Sequence, residues 1–205
     1  MVSPEREAAI RGLCEAGDHA GAATEAIRLL GPELFGYLVA VHRDADEADD
    51  AFAALSERLW RGLPRFSWDC SLRTWAYRVA RSASVDQMRA RGAVARRAVP
   101  LSGAPELAAM VAQVRSETSL FRRTGARDAV AEMRRSLPEE DQTVLILRLD
   151  RKLGWTDIAR VFADGNTDAE TLRRESARLR KRFQLARERL LEMGRRRGLL
   201  PARTG

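Results

Sequence analysis

Residues 46–89 read DEADDAFAALSERLWRGLPRFSWDCSLRTWAYRVARSASVDQMR, and the fold turns on how this stretch divides. Its apolar residues recur at steps of three and four, without alternation, which is the period of helices with one buried face. The first half opens on an acidic run that suits the positive end of a helix dipole. It places Phe52, Leu55, Leu59 and Leu63 on one stripe, so a helix is predicted over 46–62, stopped by Gly62-Leu63-Pro64. After a short aromatic loop, 71–91 is predicted helical. Leu72, Ala76, Val79 and Ala83 should face the core there, and Thr74, Tyr77, Arg78, Arg81 and Ser84 should face away.

Upstream, the spacing predicts helices over 4–16, 19–30 and 33–43, with Asp18 capping the second and Gly31-Pro32 closing it. Ile10, Leu13, Ile27 and Leu30 need burial, so residues 1–30 are expected to pack on the same domain. Downstream, Gly92, Pro100, Gly103, Pro105 and Gly125 punctuate a weak pattern, which reads as a linker over 93–125. A second domain is expected over 126–194, followed by a basic tail, 195–205. Within it, Ser136-Leu137-Pro138-Glu139 has capping-box spacing ahead of QTVLILRL. Thr156 is a good cap for a short helix DIARVFA, and Thr167-x-x-Glu170 is a second capping box. A long helix should then run over 168–193, with Leu172, Ser176, Leu179, Phe183, Ala186, Leu190 and Met193 inward. The fold class is therefore all-α, two small helical domains joined by a linker.

Charge is polarised along the chain. Residues 1–60 carry 5 basic and 12 acidic side chains, 61–100 carry 9 and 2, and 141–205 carry 16 and 9. Two basic blocks flanking a neutral stretch point to two contacts with a polyanion. Cys14 and Cys70 lack Cys-x-x-Cys or Cys/His spacing, so neither a zinc site nor a disulfide framework is expected. There is no Gly-rich phosphate loop, serine triad or metal cluster, so neither enzymatic activity nor a cofactor is expected. No apolar run reaches 18 residues, so membrane insertion is not expected. The opening residues have no signal core, and a cytoplasmic location follows.

A short helix, a turn and a long basic helix read as a helix-turn-helix, whose second helix enters the major groove. On the face opposite the apolar stripe lie Arg174, Arg178, Lys181 and Gln184, with Arg182 on its flank. Arginine and lysine can donate to guanine, and glutamine can pair with adenine. The second constellation lies at 60–81, where Trp60, Phe66, Trp68, Trp75 and Tyr77 interleave with arginines. Such a mixture can stack unpaired bases, or it can simply fill the core of a small helical domain.

On these residues a resemblance becomes specific. The stretch 46–89 resembles the second conserved region of extracytoplasmic-function (ECF) sigma factors. LPEEDQTVLILRLDRKLGWTDIARVF followed by LRKRFQLARERL resembles their fourth region. The resemblance implies a sigma factor that directs core RNA polymerase to specific promoters and initiates transcription. Its first domain would bind the clamp helices of the polymerase β′ subunit and capture melted minus-ten DNA, and its second would read the minus-thirty-five element of promoter DNA as duplex. It assigns Asp49, Asp50, Leu59 and Trp60 to polymerase, and Arg73, Thr74, Trp75, Tyr77, Arg78, Arg81 and Ser82 to minus-ten DNA. Ile158 and Ala159 match the packed first helix of the helix-turn-helix. An anti-sigma factor that masks the basic surfaces is a further partner the family implies.

Three departures stand out. Ala53-Ala54 replaces a frequent Gln-Glu, Ser82 replaces a usual asparagine, and about ten extra residues separate Ile158 from the LRKRFQLARERL block. The extra length either extends the recognition helix at its N-terminus, as the capping box at Thr167 favours, or lengthens the turn. Two other readings stay open on the residues alone. One is a helix-turn-helix regulator that binds duplex DNA without polymerase. The other is a helical interaction or RNA-binding protein. His19 and His42 read as surface or helix-end residues, and Asp86 as a structural partner.

Overall fold

The computed structural model describes residues 3–42, 44–90, 104–124, 129–163, 165 and 167–201, and every regular element among them is helical. The chain divides into two compact units, Met1–Thr124 and Gly125–Gly205.

The first unit contains α1 (Pro4–Glu15), α2 (His19–Val41), α3 (Ala45–Gly62), α4 (Leu72–Arg89) and α5 (Pro105–Thr124). Short polar side chains set most of the starts. Ser3, Asp18, Asp44 and Ser71 each accept a hydrogen bond from a backbone N–H in the first turn of the helix they precede, satisfying donors that no carbonyl reaches. α2 is the hub and packs against α1, α3, α4 and α5. The predicted stripe of α3 is the observed one: Phe52, Leu55, Leu59 and Leu63 are all buried. Phe52 meets Phe35 of α2 at a ring separation of 4.9 Å.

Two expectations fail in this unit. Gly31-Pro32 does not end a helix, because α2 runs through Pro32 without interruption. An interior proline costs about 3 kcal/mol through its missing donor and its clash with the preceding turn. Against that, Ile27, Leu30, Leu34, Phe35 and Leu38 are all buried on both sides of it, each contributing about 1.5–3 kcal/mol. A break would disengage one half of that set from neighbours the two halves share. The second failure is the linker. Of residues 93–125, 105–124 form α5, which lies against α2 with Leu107, Val111 and Val114 buried. Gly31 permits the approach, since a Cβ there would stand 3.0 Å from Val114 Cγ2. The predicted punctuation at Gly92, Pro100 and Gly103 lies outside the described residues.

The second unit contains α6 (Ala129–Arg135), α7 (Glu139–Leu145), α8 (Trp155–Phe162) and α9 (Ala169–Arg196). α7 continues into a turn of π-helix, Ile146–Asp150. Its start is not the predicted capping box: Ser136 Oγ donates instead to the Met133 carbonyl, and Pro138 occupies the cap position. α8 is capped by Gly154 in place of Thr156, and α9 by Asp168 in place of Thr167. Asp168 wins because its carboxylate accepts from both the Thr171 N–H, at 2.9 Å, and the Thr171 hydroxyl, at 2.8 Å. Those bonds hold the Asp168 pKa below the usual carboxylate value. The inward residues of α9 are as expected as far as Ala186, while Leu190 and Met193 are half-buried. The extra length lies between the helices up to Asp168 and in an N-terminal extension of α9 beyond it.

Candidate nucleic-acid interface

Residues 60–81 divide between core and surface, and the division differs from the predicted one. Ser71 caps α4, and the following turn swings Arg73 and Tyr77 onto Glu33 of α2. Arg73 Nε donates to both Glu33 carboxylate oxygens at 3.1 and 3.2 Å, its Nη2 closes a second contact, and the Tyr77 hydroxyl donates to the same carboxylate at 2.8 Å. Burial works against the Arg73 charge, but the Glu33 hydrogen bond and charge outweigh it and leave its pKa raised. Tyr77 is fully buried, edge-on to Tyr37 at 5.6 Å. Thr74 and Ser84 are buried as well.

Trp75 also lies inside, stacked on Phe66 at 4.8 Å with 19° between ring planes. Of the expected minus-ten residues, then, Thr74, Trp75 and Tyr77 are core, and Arg73 is held by Glu33. The helix is packed by α2 on one side and α3 on another, so a single inward stripe underestimates what it buries. Its outward side carries Arg78, Arg81, Ser82, Val85 and Arg89, all half-buried or exposed. Ser82 accepts from Arg58 at 3.0 Å, and Arg58 pairs with Asp86 at 2.8 Å. His42, expected at a surface or helix end, does cap α2 but is buried, with Ser84 Oγ 2.9 Å from its Nε2 and Glu47 3.4 Å from its Nδ1.

Among the five aromatics, Trp60 and Trp68 keep part of their surface open. Trp68 stands in the left-handed backbone region, φ 57°, which a bulky side chain adopts only under constraint. Two contacts hold the ring. Phe66 packs at 4.7 Å, and the Arg11 guanidinium from α1 lies 5.7 Å from the ring centre. One turn earlier on α1, Glu7 accepts from the Leu72 N–H at 2.8 Å. The amino-terminal helix thus fastens the loop that presents Trp68, a role with no local sequence signal.

On α3, Leu59 is fully buried in the core and cannot meet a partner from outside. Trp60 is half-buried. Asp50 is exposed and accepts from Gln87 at 3.3 Å, while Asp49 pairs with Arg115 of α5 at 3.5 Å. Asp46, Asp50 and Glu57 line the outward side with Ala53 and Ala54 between them, so the surface is acidic but short of hydrogen-bonding length at its middle.

In the second unit, α8 and α9 are joined at two points. Ser176 Oγ donates to the Trp155 carbonyl at 3.2 Å, and Trp155 meets Phe183 edge-on at 5.5 Å. Ile158 and Ala159 are buried, as expected. The arginines of α9 then separate by flank. Arg178 pairs with Glu140 and Glu175, each at 2.6 Å. Arg182 pairs with Glu140 at 2.8 Å and Asp141 at 2.6 Å, and Arg189 reaches Asp141 at 3.1 Å. The Arg178 pKa is raised, chiefly by its hydrogen bond to Glu175. This flank holds α9 against α7 and is not the open reading face predicted for Arg178 and Arg182.

Lys181 and Gln184 are exposed, and Arg174 is exposed with a 3.2 Å bond to Thr171 Oγ1. The flank toward α8 holds a groove of about 370 Å³ whose cationic lining is Arg160, Arg173 and Arg180, beside the Thr156 hydroxyl. Arg180 and Arg148 lie 5.8 and 5.0 Å from the Trp155 ring centre. Arg160 and Trp155 were not predicted to contribute to this face; the 3.6-residue period of α9 does indicate Arg173 and Arg180.

Residues 26–94 match the family model for sigma-70 region 2. The match takes in most of α2 and all of α3 and α4, the segment carrying the acidic surface, Trp68 and the outward arginines. No curated protein and no solved structure matches the chain. The match supports a sigma-70 region 2 domain over these residues, a domain associated with transcription initiation and promoter recognition with RNA polymerase. Among the described residues no helix is long and apolar enough to cross a membrane, and no cluster of metal-ligating side chains occurs.

Proposed function

We propose that the chain acts as a sigma factor of the ECF type, bringing core RNA polymerase to particular promoters by binding alone, in the cytosol. The observation that carries this reading is the region 2 match over a helix pair with one acidic and one basic outward surface. In this reading residues 1–92 serve as region 2. The surface of Asp46, Asp50, Glu57 and Trp60 meets the β′ clamp helices, with Asp49 at its edge. Arg78, Arg81 and Arg89 hold the backbone of melted minus-ten DNA, and Trp68 offers a ring on which an unpaired base stacks. Arg73, Trp75 and Tyr77 support that surface from within.

Residues 126–194 serve as region 4. Lys181, Gln184 and Arg174 face the major groove of the minus-thirty-five element, and Arg160, Arg173 and Arg180 hold its phosphates. The charge-paired flank of Arg178 and Arg182 sets the angle of α9. An antagonist protein covering either basic surface would switch the factor off, which is the form an anti-sigma factor would take here. The test is run-off transcription with purified protein, core polymerase and fragmented genomic DNA from the same source. Discrete transcripts that neither component yields alone are expected. Duplex binding with no transcripts would make it a regulator that works without polymerase.

A further inference from the structure

α5 lies where a linker is expected, outside the stretch that matches region 2, yet it is packed on that domain. Ala104, Leu107, Val111 and Val114 follow one another at steps of three and four, and all four are buried. They form one apolar stripe, laid on the α2 face that contains Gly31. From the next position, Arg115 reaches α3 and pairs with Asp49 at 3.5 Å. Asp49 is one of the two adjacent acids assigned to polymerase, and its neighbour Asp50 remains exposed.

We propose that α5 is a built-in mask that competes with polymerase for the α3 surface. Docked, it neutralises Asp49 with a cation of the same chain and closes one edge of the acidic surface. Polymerase binding requires Arg115 to leave, and the stripe then loosens from α2. The docked state lowers the apparent affinity in proportion to its population, because only the undocked fraction is competent. Lifting α5 exposes the α2 face it covers, but α2, α3 and α4 also pack directly on one another. The mask can therefore lift without unfolding what lies beneath. This inference rests on the sigma reading, and the experiment separates the two.

Two full-length variants move the equilibrium in opposite directions. Leu107→Asp places a charge in the stripe and should free α5, seen as faster amide exchange over 105–116. Gly31→Cys with Val114→Cys, in a Cys14→Ser/Cys70→Ser background, should lock it. The close approach at this pair suits a disulfide, whose Cβ atoms lie about 3.5–4.5 Å apart. With fluorescent core polymerase as the probe, Leu107→Asp should bind several-fold tighter than the parent. The oxidised lock should bind about tenfold or more weakly, with recovery on reduction, as a roughly tenfold loss of competent fraction requires. Equal binding by the oxidised and reduced lock, with the disulfide verified by mass, overturns the mask and leaves the sigma reading intact. Should no form bind core polymerase in any state, both readings fall together.

Discussion

The Arg73 guanidinium spans both carboxylate oxygens of Glu33, 40 positions earlier in the chain, and Tyr77 donates to the same carboxylate. Three side chains from two helices therefore share one polar node near the α2–α4 contact. Its members are only partly screened by solvent, with the Arg73 and Glu33 side chains 20% and 28% exposed. Hydrogen bonds to charged groups in such positions contribute about 1.5–3 kcal/mol each.

Arg73→Ala should accordingly destabilise the first unit by roughly 2–3 kcal/mol, leaving Glu33 with one partner fewer. Tyr77→Phe should cost less, about 1 kcal/mol, because only the hydroxyl is lost. Chemical denaturation followed by far-ultraviolet circular dichroism measures both. Full stability of Arg73→Ala together with loss of minus-ten binding would return Arg73 to the DNA surface.

Trp75 and Trp68 should part company under mutation. Trp75→Ala empties a buried site stacked on Phe66 and should cost about 3–5 kcal/mol of stability. Trp68→Ala removes a half-exposed ring in a left-handed backbone conformation and should change stability far less. Its expected effect is on single-stranded minus-ten DNA, where one lost stack weakens binding by about 1–3 kcal/mol. Fluorescence anisotropy with a labelled non-template strand separates the two, and unchanged binding by Trp68→Ala would remove it from the site.

Asp168 offers a pH test. Its folded pKa lies below the ordinary aspartate value because the Thr171 backbone and hydroxyl donate to the ionised form. A depressed carboxylate stabilises the fold fully above the unfolded value and loses that contribution as pH falls through the lower folded value. The first turn of α9 should therefore keep its cap at pH 5 and lose it only as pH falls below the ordinary aspartate range. Asp168→Ala should show the frayed turn at both. Amide exchange or carbon chemical shifts at 169–173 report it, and a turn equally ordered in the variant at pH 5 would contradict the capping role.

How far the sequence carried depended on whether a residue answers to its own helix or to a distant one. The α3 stripe from Phe52 to Leu63 and the inward residues Leu172 to Ala186 of α9 follow from spacing alone, since the buried residues of each keep to one stripe. The continuous α2 does not: Pro32 is locally a stop, and only the apolar surface on both sides of it overrides that. Tyr77 read as outward because a 100° stripe allows one buried face, whereas α4 meets two neighbours. The fate of Arg178 and Arg182 was likewise hidden. Their acids, Glu140 and Asp141, lie some forty positions away on α7, so a basic stripe on a helical wheel looked uniformly free.

That separation of the α9 flanks gives the sharpest prediction about recognition. Arg173 and Arg180 line the groove toward α8, whereas Arg178 is bound by Glu140 and Glu175. A phosphate contact releases counterions, so Arg173→Ala and Arg180→Ala should each weaken duplex binding uniformly across sequences. Each should also reduce the salt slope by about 1. Lys181→Ala, on the open face, should cost about 1–3 kcal/mol and relax sequence preference if the side chain meets a base edge. Arg178→Ala should leave the salt slope where it was, since its charge is already answered by two carboxylates. Its stability cost should stay below about 1 kcal/mol, because the pair is 47% and 30% exposed and solvent screens it. Titrations of a minus-thirty-five duplex at several salt concentrations distinguish the two flanks. A lowered slope for Arg178→Ala, with Arg173→Ala unchanged, would reverse the assignment and put DNA on the α7 side of the helix.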